Sequence, residues 1–211
     1  MRRMILVAAV ASLAVLTSCR QEELAKQQEP AQAADAPAAA DMSKLNQPRA
    51  VLATDFGEIV LELKVKEAPL SALNFMNKAA AKAFDGTTFH RLVPGFVIQG
   101  GDPNSKDADP TNDGFGGERM DAEPRRLSNL RGTVSMASSS RAVPISDQSD
   151  AQFFINLDDK CARLDGMGFI PFAKVVKGMD VVDAIARQPR DARDRPTKNV
   201  TIKRVTIVEG K

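Results

Sequence analysis

From Arg49 onward the chain carries short apolar runs broken by turn residues. Val51-Leu52-Ala53-Thr54, then Asp55-Phe56-Gly57-Glu58, then Ile59 to Leu63 read as strand, tight turn and strand, a β-hairpin. Ala68-Pro69 opens a helix in which Leu73, Met76 and Ala80 recur at helical spacing, with an Ala-rich end reaching Ala83. Short strands are predicted at Thr87–Leu92, Val97–Gly100, Thr133–Ala137, Phe153–Leu157 and Phe169–Val176. A second helix, Met179 to Ala186, sets Met179, Val182 and Ile185 on one stripe. The last apolar positions are Val200 and Ile202, then Val205 and Ile207: period two with a slip at Lys203-Arg204, as a β-bulge or bend gives. Many short strands with two isolated helices predict a mainly β fold, a closed antiparallel barrel capped by the helices.

The first 48 residues follow another pattern. Arg2 and Arg3 precede a continuous apolar stretch from Ile5 to Leu16, too short to span a bilayer, which takes ~20 residues. A basic start and a short apolar region read as a secretory signal. Leu16-Thr17-Ser18-Cys19 follows directly and resembles the bacterial lipobox, whose cysteine is acylated and becomes the new N-terminus. More than one acyl chain makes membrane retention durable, at ~0.8 kcal/mol per buried CH₂. Arg20 is not the aspartate that Gram-negative cells tend to read as an inner-membrane signal, so in such a cell the resemblance implies the outer membrane, facing the periplasm. From Arg20 to Pro48 the chain is mostly Glu, Gln, Ala and Pro, with too few apolar residues to offset its ordering entropy. It reads as a disordered tether with a typical reach of ~30 Å. The expected organisation is a removed signal peptide over 1–18, lipidated Cys19 and tether over 19–47, and one folded domain over 48–211.

Composition narrows the function. Hydrophobic residues make up 43% of the 211 and charged residues 27%, a globular balance. Without Arg2 and Arg3 the formal net charge of +2 falls to zero, so there is no electrostatic footprint for nucleic acid. With Cys19 acylated, Cys161 is left alone and the mature protein forms no internal disulfide. A monomer is expected.

Two stretches carry the chemistry. One is Phe89-His90-Arg91-Leu92-Val93-Pro94-Gly95-Phe96-Val97-Ile98-Gln99-Gly100-Gly101-Asp102. The other is Gly132-Thr133-Val134-Ser135-Met136-Ala137, followed after an insertion by Gln152-Phe153-Phe154-Ile155. In these blocks, and in Leu164-Asp165-Gly166, Phe172-Ala173-Lys174-Val175 and Gly178-Met179-Asp180-Val181-Val182, the chain resembles the cyclophilin family over about Arg49 to Glu209. The resemblance implies a closed eight-stranded antiparallel barrel with two capping helices. It also implies peptidyl-prolyl cis–trans isomerase activity on proline-containing polypeptides, here exported or envelope proteins, with no cofactor and no metal.

Rotation about an X–Pro bond breaks amide resonance against a barrier of ~18–20 kcal/mol. In the twisted state the prolyl nitrogen regains a lone pair. A hydrogen-bond donor aimed there, with the ring held in an apolar pocket, stabilises the transition state above either ground state. Arg91 is a multidonor group suited to that work, and it matches the family's catalytic arginine. On periodicity alone Phe96, Phe154 and Leu164 read as core; the resemblance places them in the proline pocket, with Gln99 positioning the arginine. Strand alternation sets Val97 with Gln99 and Gln152 with Phe154, leaving Ile98 and Phe153 to face the barrel interior. The backbone around Ala137 and Ser138 is expected to pair with the residue before proline.

Three further features bear on alternatives. His90, the only histidine, has neither a Gly-x-Ser-x-Gly element nor a cysteine pair to work with, and reads as a structural residue under the arginine strand. Asp109-Pro110-Thr111-Asn112-Asp113-Gly114 opens like a calcium loop, but its twelfth position is Met120 where a bidentate Glu is required. Arg163 stands where many eukaryotic cyclophilins carry a tryptophan, so the indole donor used by cyclosporin is missing and weak inhibition is expected. The competing function is a proline-recognising binding module or holdase with little turnover, and behind it a structural envelope lipoprotein. A binder could dispense with Arg91, and a structural protein needs none of the set.

Overall fold

The structure is a computed structural model that describes residues 46–140 and 142–210. The expected signal peptide, Cys19 and the tether as far as residue 45 lie outside the described residues.

Among the described residues ten strands form: β1 Arg49–Thr54, β2 Gly57–Leu63, β3 Arg91–Val93, β4 Val97–Gly100, β5 Arg119–Asp121, β6 Thr133–Met136, β7 Asp147–Ser149, β8 Phe153–Asn156, β9 Pro171–Lys177 and β10 Ile202–Val208. The α-helices among these residues are α1 Pro69–Ala80 and α2 Met179–Ala186. Eight strands make one antiparallel sheet in the order β10-β1-β2-β9-β6-β8-β4-β3, and β5 pairs with β7 in a small separate ribbon.

Of the closed barrel expected from the sequence, the structure shows a curled eight-stranded antiparallel sheet. Its end strands, β3 and β10, share no ladder among the described residues. The segments just ahead of them meet at one bridge, Thr88 with Thr201, flanked by Phe89 N–H donating to Val200 O at 2.9 Å and Ile202 N–H to Thr87 O at 2.7 Å. The strand predicted over Thr87–Leu92 therefore shrinks to its last residues. The Leu92 N–H donates to Asp194 O at 2.7 Å, so a loop takes the place of an edge partner. The slip predicted at Lys203-Arg204 is present: opposite Ala53 and Thr54 the register passes from Arg204 to Ile202, leaving Lys203 as the extra residue of a bulge.

Ala50, Leu52, Ile59 and Leu61 alternate inward from the first hairpin, and Ile98, Val134, Phe153, Ile155 and Phe172 join them from the other strands. From α1, Phe75 plugs this interior, with ring centroids 4.6 Å from Phe84, 5.5 Å from Phe153 and 5.2 Å from Phe172. Such contacts add ~0.5–1.5 kcal/mol each beyond area burial. The buried stripe of α1 is Ala72, Phe75, Met76 and Ala79, rotated from the predicted Leu73, Met76 and Ala80. The helix stops at Ala80 rather than Ala83, and Lys82 takes a left-handed φ of +56° in the turn that follows. In α2, Val182 and Ile185 are buried as predicted.

Candidate active site

The sheet register assembles the site. Arg91 on β3 lies opposite Gln99 on β4, Gln99 opposite Phe154 on β8, and Phe154 opposite Ser135 on β6. Directly opposed residues share a face, so these four form a row across the sheet. The neighbouring row, Leu92, Ile98, Ile155 and Val134, faces the interior and is fully buried. The row bearing Arg91 must face the other way.

On that outer face a second apolar cluster forms, apart from the main core: Val97, Ala137, Phe154, Cys161 and Leu164, with Val93, Phe96 and Phe169 half-buried against it. It walls a cavity of about 140 Å³ whose lining also includes Arg91, Gln99 and Ser138. Phe96 comes from the turn joining β3 to β4, closed by its N–H donating to Val93 O at 2.9 Å, where Gly95 takes φ +71°. The Cys161 thiol, buried beneath this turn, donates to Phe96 O at 3.2 Å. Leu164 belongs to the 3₁₀ helix Asp159–Asp165.

All eight of Arg91, Phe96, Val97, Gln99, Ala137, Ser138, Phe154 and Leu164 thus meet around one cavity. Gln152 stands one step out. Gln99 Nε2 donates to Gln152 Oε1 at 3.0 Å, and Gln152 Nε2 donates to Gly116 O at 2.7 Å. This relay ties Gln99 to a loop held by buried Asp102, whose carboxylate accepts from Asn104 N at 2.9 Å and from Gly114 N. An Arg91–Gln99 side-chain hydrogen bond is not formed among the described residues; their relation is the shared row. Glycine at position 100 is needed because a Cβ there would meet Thr88 O and Phe89 Cδ1 at 2.9 Å.

Phe169 was not read as a site residue from the sequence, whereas Arg163 stands at the position that the resemblance linked to inhibitor binding. Phe169 lines the cavity and packs edge-on against Phe154, centroids 5.4 Å apart. Arg163 lays its guanidinium 4.5 Å from the centroid of Phe96. Arg163 lies outside the strands, and the strand predicted from Phe169 begins only at Pro171.

The wall carrying Leu164 and Phe169 is fixed by a buried asparagine. Asn129 donates from Nδ2 to Asp165 Oδ1 at 2.8 Å and to Phe169 O at 3.0 Å, and its Oδ1 accepts from Ser135 Oγ at 2.8 Å and Asn156 Nδ2 at 3.2 Å. Every hydrogen-bonding position of that amide is used. Burial pushes the Asp165 carboxyl up, but hydrogen bonds from Ser128 and Asn129 and the charge of Arg125 outweigh it and hold the group below the usual carboxylate value.

Two more cavities flank this one. The first, about 410 Å³, shares Gln99, Ala137 and Ser138 with it and is otherwise polar, with Glu118, Arg119 and Asp147 on its walls. The second, about 680 Å³, lies on the other side of Arg91 and is bordered by His90, Asp113 and Arg195. His90 is 6% exposed, and neither ring nitrogen has a partner among the described residues. Burial, only partly countered by Asp102 and reinforced by Arg195, lowers its pKa to about 4, so the ring is neutral near pH 7. Asp113, from the loop that opened like a calcium site, pairs with Arg195.

Comparison with known proteins agrees with the geometry. The family described as cyclophilin type peptidyl-prolyl cis-trans isomerase/CLD matches residues 49–207. Peptidyl-prolyl cis-trans isomerase A of Dickeya dadantii is 37% identical over 170 residues, covering 76% of this chain and 82% of that one. A peptidyl-prolyl cis-trans isomerase of Acinetobacter baylyi is 39% identical over 148 residues, covering 64% and 70%. Among solved structures, a cyclophilin type isomerase of Cryptosporidium parvum, determined in the presence of the dipeptide Ala-Pro, superimposes with a TM-score of 0.67 at 29% identity. That match covers 77% of this chain and 99% of the other.

Proposed function

The chain belongs to the cyclophilin-type peptidyl-prolyl cis–trans isomerases, and on that premise we propose that Arg91 is its electrostatic catalyst and the cavity beside it the prolyl pocket. The observation that carries this reading is the row Arg91–Gln99–Phe154, which sets one guanidinium and one aromatic wall on the same small cavity. A prolyl ring seated against Phe96, Val97, Phe154, Leu164 and Phe169 is held by apolar contact that is the same in cis and trans. The rest of the peptide is then free to turn about the X–Pro bond. As the bond twists, the nitrogen becomes pyramidal and basic, and the Arg91 guanidinium donates to it. That hydrogen bond exists only near the transition state, so it lowers the barrier without trapping either ground state. Gln99, immobilised through Gln152, borders the path of the guanidinium and restricts where it can point. No covalent bond is made or broken.

The reading is tested by following cis–trans exchange of a short X–Pro peptide by NMR with wild type and Phe154→Ala. Removing that wall forfeits ~1.5–3 kcal/mol of apolar contact, so kcat/KM is expected to fall about tenfold to a hundredfold. Unchanged exchange would place the substrate elsewhere.

We propose further that the protein works in the cell envelope on exported polypeptides, anchored by lipid on Cys19 and, in a Gram-negative cell, on the periplasmic side of the outer membrane. Leu16-Thr17-Ser18-Cys19 behind a short apolar stretch, and the polar tether after it, support this reading.

A further inference from the structure

The prolyl pocket has unlike charge at its two ends. At the end where Gln99 and Gly100 sit beside Phe154 and Phe153, Ala137 and Ser138 open onto the polar cavity. There charge is mixed: Arg119 pairs with Asp147 at 3.1 Å, and Glu118 stands next to it. The other end of β4 begins at the Phe96 turn, where the charge stacked on the wall is positive. The Arg163 guanidinium is stacked 4.5 Å from the Phe96 centroid, and Leu164, the next residue, lines the cavity. Among the described residues no carboxylate lies within ion-pair distance of Arg163 or of Arg91. The acidic neighbours of Arg163 are turned to other groups: Asp158 accepts from Lys160 N at 2.8 Å, Asp159 from Arg131 N at 2.9 Å, and Asp165 from Asn129 N at 2.9 Å with Arg125 3.5 Å away. Arg163 is exposed, yet the aromatic stack limits where its charge can move.

With the residue before proline along Ala137 and Ser138, as the resemblance implies, and the ring in the cavity, the residue after proline would leave toward Phe96. We propose that Arg163 is a specificity-determining residue that favours substrates with a carboxylate on the residue following proline. This rests on the cavity being the prolyl pocket. A guanidinium with its own carboxylate partner could not discriminate in this way. One that is unpartnered and held at the exit attracts an acidic side chain and repels a basic one, and does so less as salt screens it.

The test uses the full-length protein and two sets of short peptides, with Glu, Gln or Lys placed after proline in one set and before it in the other. The readout is the Glu-to-Lys ratio of kcat/KM within each variant, so that a general loss of activity cancels. With the charge after proline, a ratio of about fivefold is expected for wild type at low ionic strength, shrinking as salt rises. Arg163→Lys is expected to keep most of it, Arg163→Gln to leave only what Arg91 contributes, and Arg163→Glu to reverse it. With the charge before proline, the ratio is expected to ignore position 163. If the Gln peptides are isomerised but the ratio after proline is the same in wild type and Arg163→Glu, the specificity role is wrong while the isomerase reading stands. If wild type does not isomerise even the Gln peptides, both fall together.

Discussion

His90 shows how a single buried side chain sets the pH response of the domain. Its pKa is held down to about 4 by burial, whereas an unfolded chain gives histidine a value near ~6.5. Burial of the neutral ring therefore contributes stability that is fully present above pH ~6.5 and is lost as pH falls toward 4, where the unfolded chain binds the proton first. The expected loss between pH 7 and 4.5 is about 2–3 kcal/mol. Urea unfolding at those two values should show it in wild type, and His90→Gln should flatten that part of the pH dependence. An identical slope in both proteins would mean that carboxylates such as Asp165 carry the effect instead. At this scale the sequence was legible wherever a residue sat in a strand motif. Arg91, Gln99 and Phe154 fall in one row because alternation and register demand it. Phe169 was not legible as a pocket residue: it reaches the cavity from just ahead of β9 and packs there against Phe154, and nothing in the sequence pattern set the stack of Arg163 on Phe96.

At the scale of elements, α1 starts with proline at its first turn and Ala68 as a cap that offers no side-chain acceptor. Its free N–H groups are met from 52 residues away by buried Glu123, which accepts from Leu70 N at 3.1 Å, Ser71 N at 2.8 Å and Ser71 Oγ at 2.7 Å. The carboxylate also opposes the positive end of the helix dipole. Gln148 completes the arrangement by donating to Ser71 Oγ at 2.9 Å, so the cap ties α1 to the ribbon of β5 and β7. Glu123→Ala is expected to cost about 1–3 kcal/mol in denaturant unfolding by leaving buried donors unmet, with Glu123→Gln recovering part of it. Full stability in the alanine variant would show that α1 is held by its apolar face alone. This long-range cap also explains why the stripe of α1 was misplaced. Leu70, Leu73, Phe75 and Met76 spread apolar residues around much of the helix, and periodicity could not choose among them. The rotation is set by Ser71 facing Glu123 and by Phe75 entering the aromatic core. The β5–β7 ribbon escaped notice for a related reason, since Arg119–Asp121 and Asp147–Ser149 are almost wholly polar and pair without an apolar face.

At the scale of the whole domain, residues 49–208 fold as a curled eight-stranded sheet plugged by α1, and the sequence motifs were sufficient to name the family. The extent of pairing between the two end strands was not legible: it depends on where a few N–H groups such as that of Leu92 find acceptors, and nothing in the apolar pattern records that. The proposed anchor is independent of this domain. Cys19→Ser is expected to move the protein from the membrane to the soluble exported fraction with an unchanged thermal unfolding profile. Retention on the membrane would count against lipid at Cys19.

The central claim is that one guanidinium lowers the rotational barrier while an apolar pocket holds the ring. The direct measurement is kcat/KM on a short X–Pro peptide, beside its dissociation constant, for wild type, Arg91→Ala and Arg91→Lys, with thermal unfolding to confirm the fold. Losing a well-placed transition-state donor costs ~2.7–4 kcal/mol, so Arg91→Ala should lower kcat/KM about 10²–10³-fold while peptide binding weakens far less. Arg91→Lys should not restore the rate, because an ammonium lacks the planar multidonor geometry. Full activity in Arg91→Ala would contradict the mechanism, and a wild type that binds the peptide without speeding its isomerisation would make the protein a proline-recognising module instead.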